Sequence, residues 1–167
     1  MTTVTLDTNL VDDQRVATAA RTAGFEIVHT TVTDRELDGS GVTAVADRKA
    51  EIVEALVLGE SVIGASVLGS DSDATNFETV LKVISDGAFP AIGKRDNLSA
   101  GQRRQMRDAM IFCTHVREKR CVFVTNDKKG FIDNGRRELL EGQFTTKILT
   151  ADEFLQLCTS KNAGKSV

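Results

Sequence analysis

Apolar residues along the chain come in short blocks separated by polar turns, and the spacing within the blocks alternates between strand-like and helix-like. Val4 to Leu6 is a β-type run that stops at Asp7. Residues 12–23, DDQRVATAARTA, begin with acids and continue with helix formers. Gly24 follows where a left-handed C′ residue belongs, so a helix is predicted there. Phe25 to His29 reads as a strand. Thr33 to Leu37 reads as a helix with a threonine cap, and Glu36 falls at its third helical position, a capping-box spacing. Over residues 43–58, Val45, Ile52 and Leu56 recur at helical spacing. Ser61 to Leu68 reads as a strand interrupted by glycine. Phe77, Val80, Leu81 and Ile84 repeat at i, i+3, i+4 and i+7, which predicts a helix over 74–86.

Phe89 to Asn97 contains the single proline and reads as a loop. Ser99 then caps a long helix running to about Arg120, with Met106, Met110, Cys113 and Val116 on one side. Cys121 to Thr125 reads as a strand, residues 134–141 as a short helix and Lys147 to Leu149 as a strand. Ala151 to Cys158 reads as a last helix capped by Thr150. Residues 159–167 read as a disordered tail. Strands alternating with helices, and apolar runs such as Val122-Phe123-Val124, predict an α/β fold. The expected architecture is a three-layer α/β/α sandwich with a central, mostly parallel sheet, built as one domain over residues 1–158.

Composition changes this picture little. With 167 residues, 41% hydrophobic and 27% charged, the chain is long enough for a substantial core. A formal net charge of −3 argues against a polybasic nucleic-acid binder and leaves room for a local basic groove. Tyr and Trp are absent, so a base-stacking platform is not expected. Cys113, Cys121 and Cys158 form no CxxC and have largely apolar neighbours, so they read as buried, reduced thiols. The start of the chain has no basic n-region, and no apolar run reaches the length of a membrane span. A cytoplasmic protein is expected.

The acids add most. Ligands of a parallel sheet gather at the carboxyl ends of its strands. Asp7 ends the first strand and Asp127 ends VFVTND, with Asn9 and Thr125 beside them. Glu36 follows the strand FEIVHT closely. Asp108 lies inside the long helix, past the first turn where an acid would serve the helix dipole. Two carboxylates 4 Å apart repel by about 4 kcal/mol at an effective dielectric near 20. Such a cluster holds protons or binds cations. Oxygen ligands without His or Cys select Mg²⁺ or Mn²⁺. Two such ions about 4 Å apart are a recurrent device for phosphodiester hydrolysis.

The same residues resemble the PIN-domain ribonucleases. Asp7-Thr8-Asn9 resembles the opening motif of that family, TVTDREL with Glu36 its second acid, RDAMIFCTHV with Asp108 its third, and VTNDKKGF with Asp127 its fourth. The resemblance spans about residues 3–150. It implies a PIN-like fold and a metal-dependent endoribonuclease that hydrolyses RNA, single-stranded for preference, with water activated at an acidic Mg²⁺ or Mn²⁺ site. Asp7, Asp108 and Asp127 would be ligands, and Glu36 a ligand or the residue that positions the water. Asn9 and Thr125 would orient the carboxylates. Two departures stand out. Residues 60–97 are longer than in compact toxin members, and the spacing after Asp127 leaves Asp133 as an alternative or additional acid.

Lys94, Arg95, Arg103, Arg104 and Arg107 precede or flank Asp108, and Lys128 and Lys129 adjoin Asp127. Of these, Lys128, Lys129, Arg104 and Arg107 are the candidates for phosphate contact. RNA is the expected partner. An inhibitory antitoxin-like protein, and a homodimer formed through helices 43–58 or 74–86, are further expectations. His29 and His115 lack any ligand pattern and read as structural. DSDATNFE lacks the glycine of a calcium loop, and AGKS lacks the first glycine and the preceding strand of a P-loop. A phosphatase with an aspartate nucleophile would want a second aspartate where Asn9 stands. A non-catalytic RNA-binding or scaffolding module on the same fold is the alternative, and retention of all four acids weighs against it.

Overall fold

The computed structural model describes residues 2–38, 51, 52, 55, 57, 61 and 66–163. Five strands, β1 (Thr2–Leu6), β2 (Phe25–Thr30), β3 (Glu51–Ile52), β4 (Val122–Val124) and β5 (Lys147–Leu149), lie in the order β3-β2-β1-β4-β5. Every neighbouring pair is parallel. Six α-helices join the described residues: α1 (Gln14–Ala23), α2 (Thr31–Asp38), α3 (Asp71–Ile84), α4 (Ala100–Arg117), α5 (Arg136–Gln143) and α6 (Ala151–Ala163).

Strand periodicity divides the core in two. On β4, Val122 and Val124 point to one face, where they meet Val4, Leu6, Val16, Ala20, Phe154 and Cys158 from β1, α1 and α6. Phe123, between them, points to the other face, among Phe77, Leu81, Met110, Phe112, Phe131 and Ile148. Phe112 of α4 is fully buried and meets Phe123 edge to face, with ring centroids 5.2 Å apart. Helices therefore cover both faces of the sheet, as near-continuous apolar strands require.

Thr5 also points to the α4 face, and His115 meets it. The imidazole Nδ1 lies 2.9 Å from Thr5 Oγ1 and Nε2 lies 2.6 Å from Thr146 Oγ1, so this buried ring is fully partnered and structural. Burial pushes its pKa down to about 3.

Helix ends follow local chemistry. Asp13 caps α1 by accepting from Arg15 N, and Gly24 closes it at φ 73°, a left-handed conformation that suits glycine. Ser99 and Gln102 form a reciprocal capping box on α4. Ser99→Ala is expected to lower the unfolding free energy by about 1 kcal/mol. Its urea midpoint should fall while any activity stays, because the cap lies more than two turns from Asp108.

Several expectations need correction. Glu51 and Ile52 form an edge strand, paired through His29↔Glu51 and Thr30↔Ile52. Pairing with the open edge of β2 overrides the helical spacing there, and residues 43–50 lie outside the described residues. Of the strand expected over 61–68, Val67 makes an isolated bridge to Ala55, and residues 62–65 lie outside the described residues. Within Phe89 to Asn97, Ile92–Lys94 forms a single 3₁₀ turn. Helix α6 continues to Ala163, so residues 159–163 are not a disordered tail. Cys158 is buried and Cys113 partly so, but Cys121 is exposed at the bend before β4, and all three are free. The apolar face of α3 is spent inside the chain, where Phe77, Val80, Leu81 and Ile84 are buried against α4 and its neighbours. Among the described residues no helix is long and apolar enough to cross a membrane.

Candidate functional site

In the observed strand order the chain runs outward from β1 to β2 on one side and returns to β4 on the other. The loops that leave β1 and β4 therefore diverge, and a crevice opens at the carboxyl ends of these two strands. Leu6 pairs with Val124, and Asp7 N donates to Val124 O at 2.9 Å. Asp7 and Thr125 are thus the first residues beyond the paired strands, side by side at the mouth of the crevice.

Asp7 is 3% exposed and held by three donors. Thr8 N donates to its Oδ1 at 2.8 Å, while Thr125 Oγ1 and Asn9 Nδ2 donate to Oδ2 at 2.6 and 2.7 Å. The Asn9 amide is oriented by its other end, because Asn126 N donates to Asn9 Oδ1 at 3.1 Å. Asn126 in turn accepts from Ala151 N through Oδ1, at 3.1 Å, and so ties the crevice to the start of α6.

Each further acid is linked to Asp7 through one residue or through its field. Thr125 Oγ1, while donating to Asp7, accepts from Asp127 N at 2.9 Å. Thr8 Oγ1 donates to Glu36 Oε2 at 2.6 Å. Glu36 Oε1 lies 3.4 Å from Arg107 Nη1. Asp108, on α4, feels the negative charge of Asp7, Asp127 and Glu36 together. The four acids separated by up to 120 residues in sequence thus share one electrostatic neighbourhood.

Their titration records the crowding. Burial, and secondarily the charges of Asp127 and Glu36, lifts the Asp7 carboxyl to about 6, against the opposing pull of its Thr125 and Thr8 hydrogen bonds. Burial and the charges of Asp7, Asp127 and Glu36 lift Asp108 to about 8, with Arg104 pulling the other way. Two carboxyls raised this far, chiefly by burial, mark a candidate functional site.

Among the described residues no three Asp, Glu, His or Cys side chains are close enough together to form a ready ligand set. The side chains have other engagements. Glu36 faces Thr8 and Arg107, and Asp127 Oδ1 accepts from Gly130 N at 2.9 Å. Without a cation between them, carboxylates gain by turning away from one another. The donor type still suits a hard divalent ion, since every candidate ligand is a carboxylate oxygen.

Glu36 does not serve the capping box that its spacing also allowed. The Thr33 amide is capped by Thr30 Oγ1 at 3.2 Å, which frees Glu36 for the site. Among the described residues no Asp108–Arg104 salt bridge forms, although the charge of Arg104 acts on Asp108. Lys128, Lys129 and Arg104 are exposed, and Arg107 is half-buried. Asp133 caps the turn after Asp127 through its backbone.

Three positions carry more than their sequence suggested. Thr8 joins Asp7 to Glu36, and its place inside Asp7-Thr8-Asn9 was the available signal. Gly130 sits in a single wide π-turn, Lys128–Ile132, where a Cβ would overlap the Asp127 carboxylate. Arg136, 7% exposed, donates to Val83 O, Lys129 O and Asp86 Oδ2, and so fixes that turn against the end of α3. Gly130→Ala is expected to displace Asp127 and to lower any metal-dependent turnover about 10- to 100-fold, the usual loss when the support of a ligand is disturbed. Circular dichroism should show the fold retained.

A cavity of about 890 Å³ between α3, α4 and the loop at 92–98 is lined by Phe77, Met106, Met110 and Cys113 and by none of the four acids. No protein-family model, curated protein or solved structure matches the chain.

Proposed function

We propose that the chain is a PIN-like, divalent-metal-dependent ribonuclease acting on single-stranded RNA. The reading rests chiefly on one observation: Asp7, Glu36, Asp108 and Asp127 lie within reach of one another's charge near the carboxyl edge of a parallel sheet, and two of them are driven well above the ordinary carboxylate range by burial and by the others' charge. Structural ion pairs would lower such values.

Asp7, Asp108 and Asp127 would hold Mg²⁺ or Mn²⁺. When bound, the ion supplies acidification of water and neutralisation of phosphate charge. Glu36, fixed by the Thr8 hydroxyl, stands where it can accept a proton from an attacking water. Asn9 and Thr125 hold Asp7 Oδ2 and Thr8 N holds Oδ1, so that the carboxylate keeps a fixed orientation. Burial of Asp7 strengthens the attraction between its ionised form and a cation.

Incubation with labelled RNA and DNA, with and without Mn²⁺, tests the reading. Cleavage of RNA that requires the ion is the expected result. Undiminished cleavage in excess chelator, or none under any condition, would refute it. An inhibitory protein covering the acidic crevice belongs to the same proposal, since a buried acidic cleft is a natural target for a basic side chain.

A further inference from the structure

The peptide group that joins Lys129 to Gly130 is held at both ends. Its N–H donates to Asp127 Oδ1 at 2.9 Å, and its C=O accepts from Arg136 Nη1. A peptide unit is planar and trans, so its N–H and C=O point in opposite directions and turn together. Whatever fixes the oxygen also aims the N–H. Here the N–H is aimed at one of the four acids, and a cation on the oxygen polarises the amide and strengthens that donor.

Arg136 opens α5, where a cation opposes the helix dipole, so the helix itself gives no reason for it. Its reason lies in three acceptors. Besides the bond to Lys129 O, Nε donates to Val83 O at 3.2 Å and Nη2 donates to Asp86 Oδ2. The side chain is 9% exposed. Val83 lies in the last turn of α3, which Val80, Leu81 and Ile84 anchor in the core. The guanidinium therefore braces the Asp127 turn against an element that carries none of the four acids. The residue after Gly130, Phe131, is buried against Phe112 and Phe123, so Arg136 controls what freedom the peptide group retains.

We infer that Arg136 is a positioning residue: through the Lys129–Gly130 peptide group it orients the Asp127 carboxylate, and so sets how tightly the crevice holds a divalent ion. The part that concerns the ion rests on the proposed metal site, and the orientation of Asp127 stands apart from it. Asp86 completes the clamp. It is 64% exposed and its φ is 52°, a left-handed value that asparagine also adopts readily. Asp86→Asn therefore loosens the clamp by removing one charge while the backbone keeps its course.

The test uses the full chain labelled with ¹⁵N-glycine, in chelator, with Asp127→Ala to identify the Gly130 signal. In the wild type the Gly130 amide proton is expected downfield and slow to exchange. Arg136→Gln should move it upfield and speed its exchange at least about tenfold. Gly24, whose N–H closes α1, should keep its rate. Titration of Mn²⁺ into the chelator-free proteins should then show an affinity about tenfold lower for Arg136→Gln and about threefold lower for Asp86→Asn. Arg136→Lys keeps the charge without the fork and should recover only part of the loss. Should Arg136→Gln fail to fold, Asp86→Asn decides the matter through smaller changes in the same direction.

Gly130 exchange unchanged by the substitutions would overturn the proposal. So would release of Gly130 with undiminished Mn²⁺ affinity, since Arg136 would then brace the turn without governing the site. If the wild type binds no Mn²⁺, the metal reading falls, and the Gly130 signal still judges whether Arg136 orients Asp127. Faster exchange then supports the orientation, and an unchanged rate refutes it.

Discussion

Asp7→Asn is expected to reduce metal-dependent RNA cleavage about a thousandfold while leaving the protein at least as stable as the wild type at neutral pH. The first half follows from the place of Asp7 in the crevice. It adjoins Asn9 and Thr125 on Oδ2, accepts from Thr8 N on Oδ1, and contributes to the field at Asp108. A divalent ion contributes several kcal/mol to the transition state of phosphoryl hydrolysis. Loss of about 4 kcal/mol corresponds to about a thousandfold in rate. The second half follows from burial. Asp7 titrates at about 6 in the fold, above its ordinary value of 3.8, so its ionised form destabilises the fold at pH 7. An asparagine keeps the shape and removes that charge. Its amide also leaves one lone-pair partner mismatched against Asn9 or Thr125, which offsets part of the gain. Single-turnover kinetics and a thermal melt in chelator measure the two halves separately.

The largest pH effect belongs to Asp108. Its carboxyl is raised from 3.8 to about 8 in the folded chain. For a group whose folded pKa is raised, the stabilising contribution is full below the unfolded value and is lost as pH climbs through the folded value. In the absence of divalent ions Asp108 therefore withdraws stability from about pH 4 to about pH 8, on the order of 5 kcal/mol in all. His115 runs the other way. Its pKa is lowered from 6.5 to about 3, so its contribution is full above 6.5 and is lost as pH falls toward 3. Comparing Asp108→Asn with the wild type cancels His115. In chelator the two should have nearly equal urea midpoints at pH 4, and the variant should be clearly more stable at pH 8.5. Equal midpoints at both pH values would mean that Asp108 is not under charge stress. Mn²⁺ should stabilise the wild type at pH 8.5 and the variant much less.

Much of this arrangement was legible in the chain. Asp7 and Asp127 each stop a short β-branched or aromatic run, and a parallel sheet delivers such residues to one edge. Asp108 betrayed itself by lying mid-helix beside apolar neighbours, where neither capping nor the helix dipole calls for an acid. Glu36 was ambiguous, because three residues after Thr33 it fits a capping box equally well. Only the fold shows that Thr30 does the capping and that Thr8 takes up Glu36. The segment at 43–58 misled because Ile52 fits both a helical stripe and an edge strand. Pairing of Thr30 with Ile52, a contact between residues distant in sequence, decided it in favour of the strand. Gly130 and Arg136 were invisible for the same reason. The need for glycine arises from a carboxylate that folds back over the turn, and the three acceptors of Arg136 come from parts of the chain that no local pattern links.

The proposed cation site can be tested without any substrate. Titration of Mn²⁺ into the wild type, Asp7→Asn and Asp108→Asn at pH 7.5, followed by the loss of the free-ion resonance signal, reads occupancy directly. Saturable binding by the wild type, weakened at least about tenfold in each variant and competed by Mg²⁺, is the expected outcome. Binding of equal strength in all three proteins, or none in the wild type, would show that the four acids do not assemble around a metal and would leave the crevice without its chemistry.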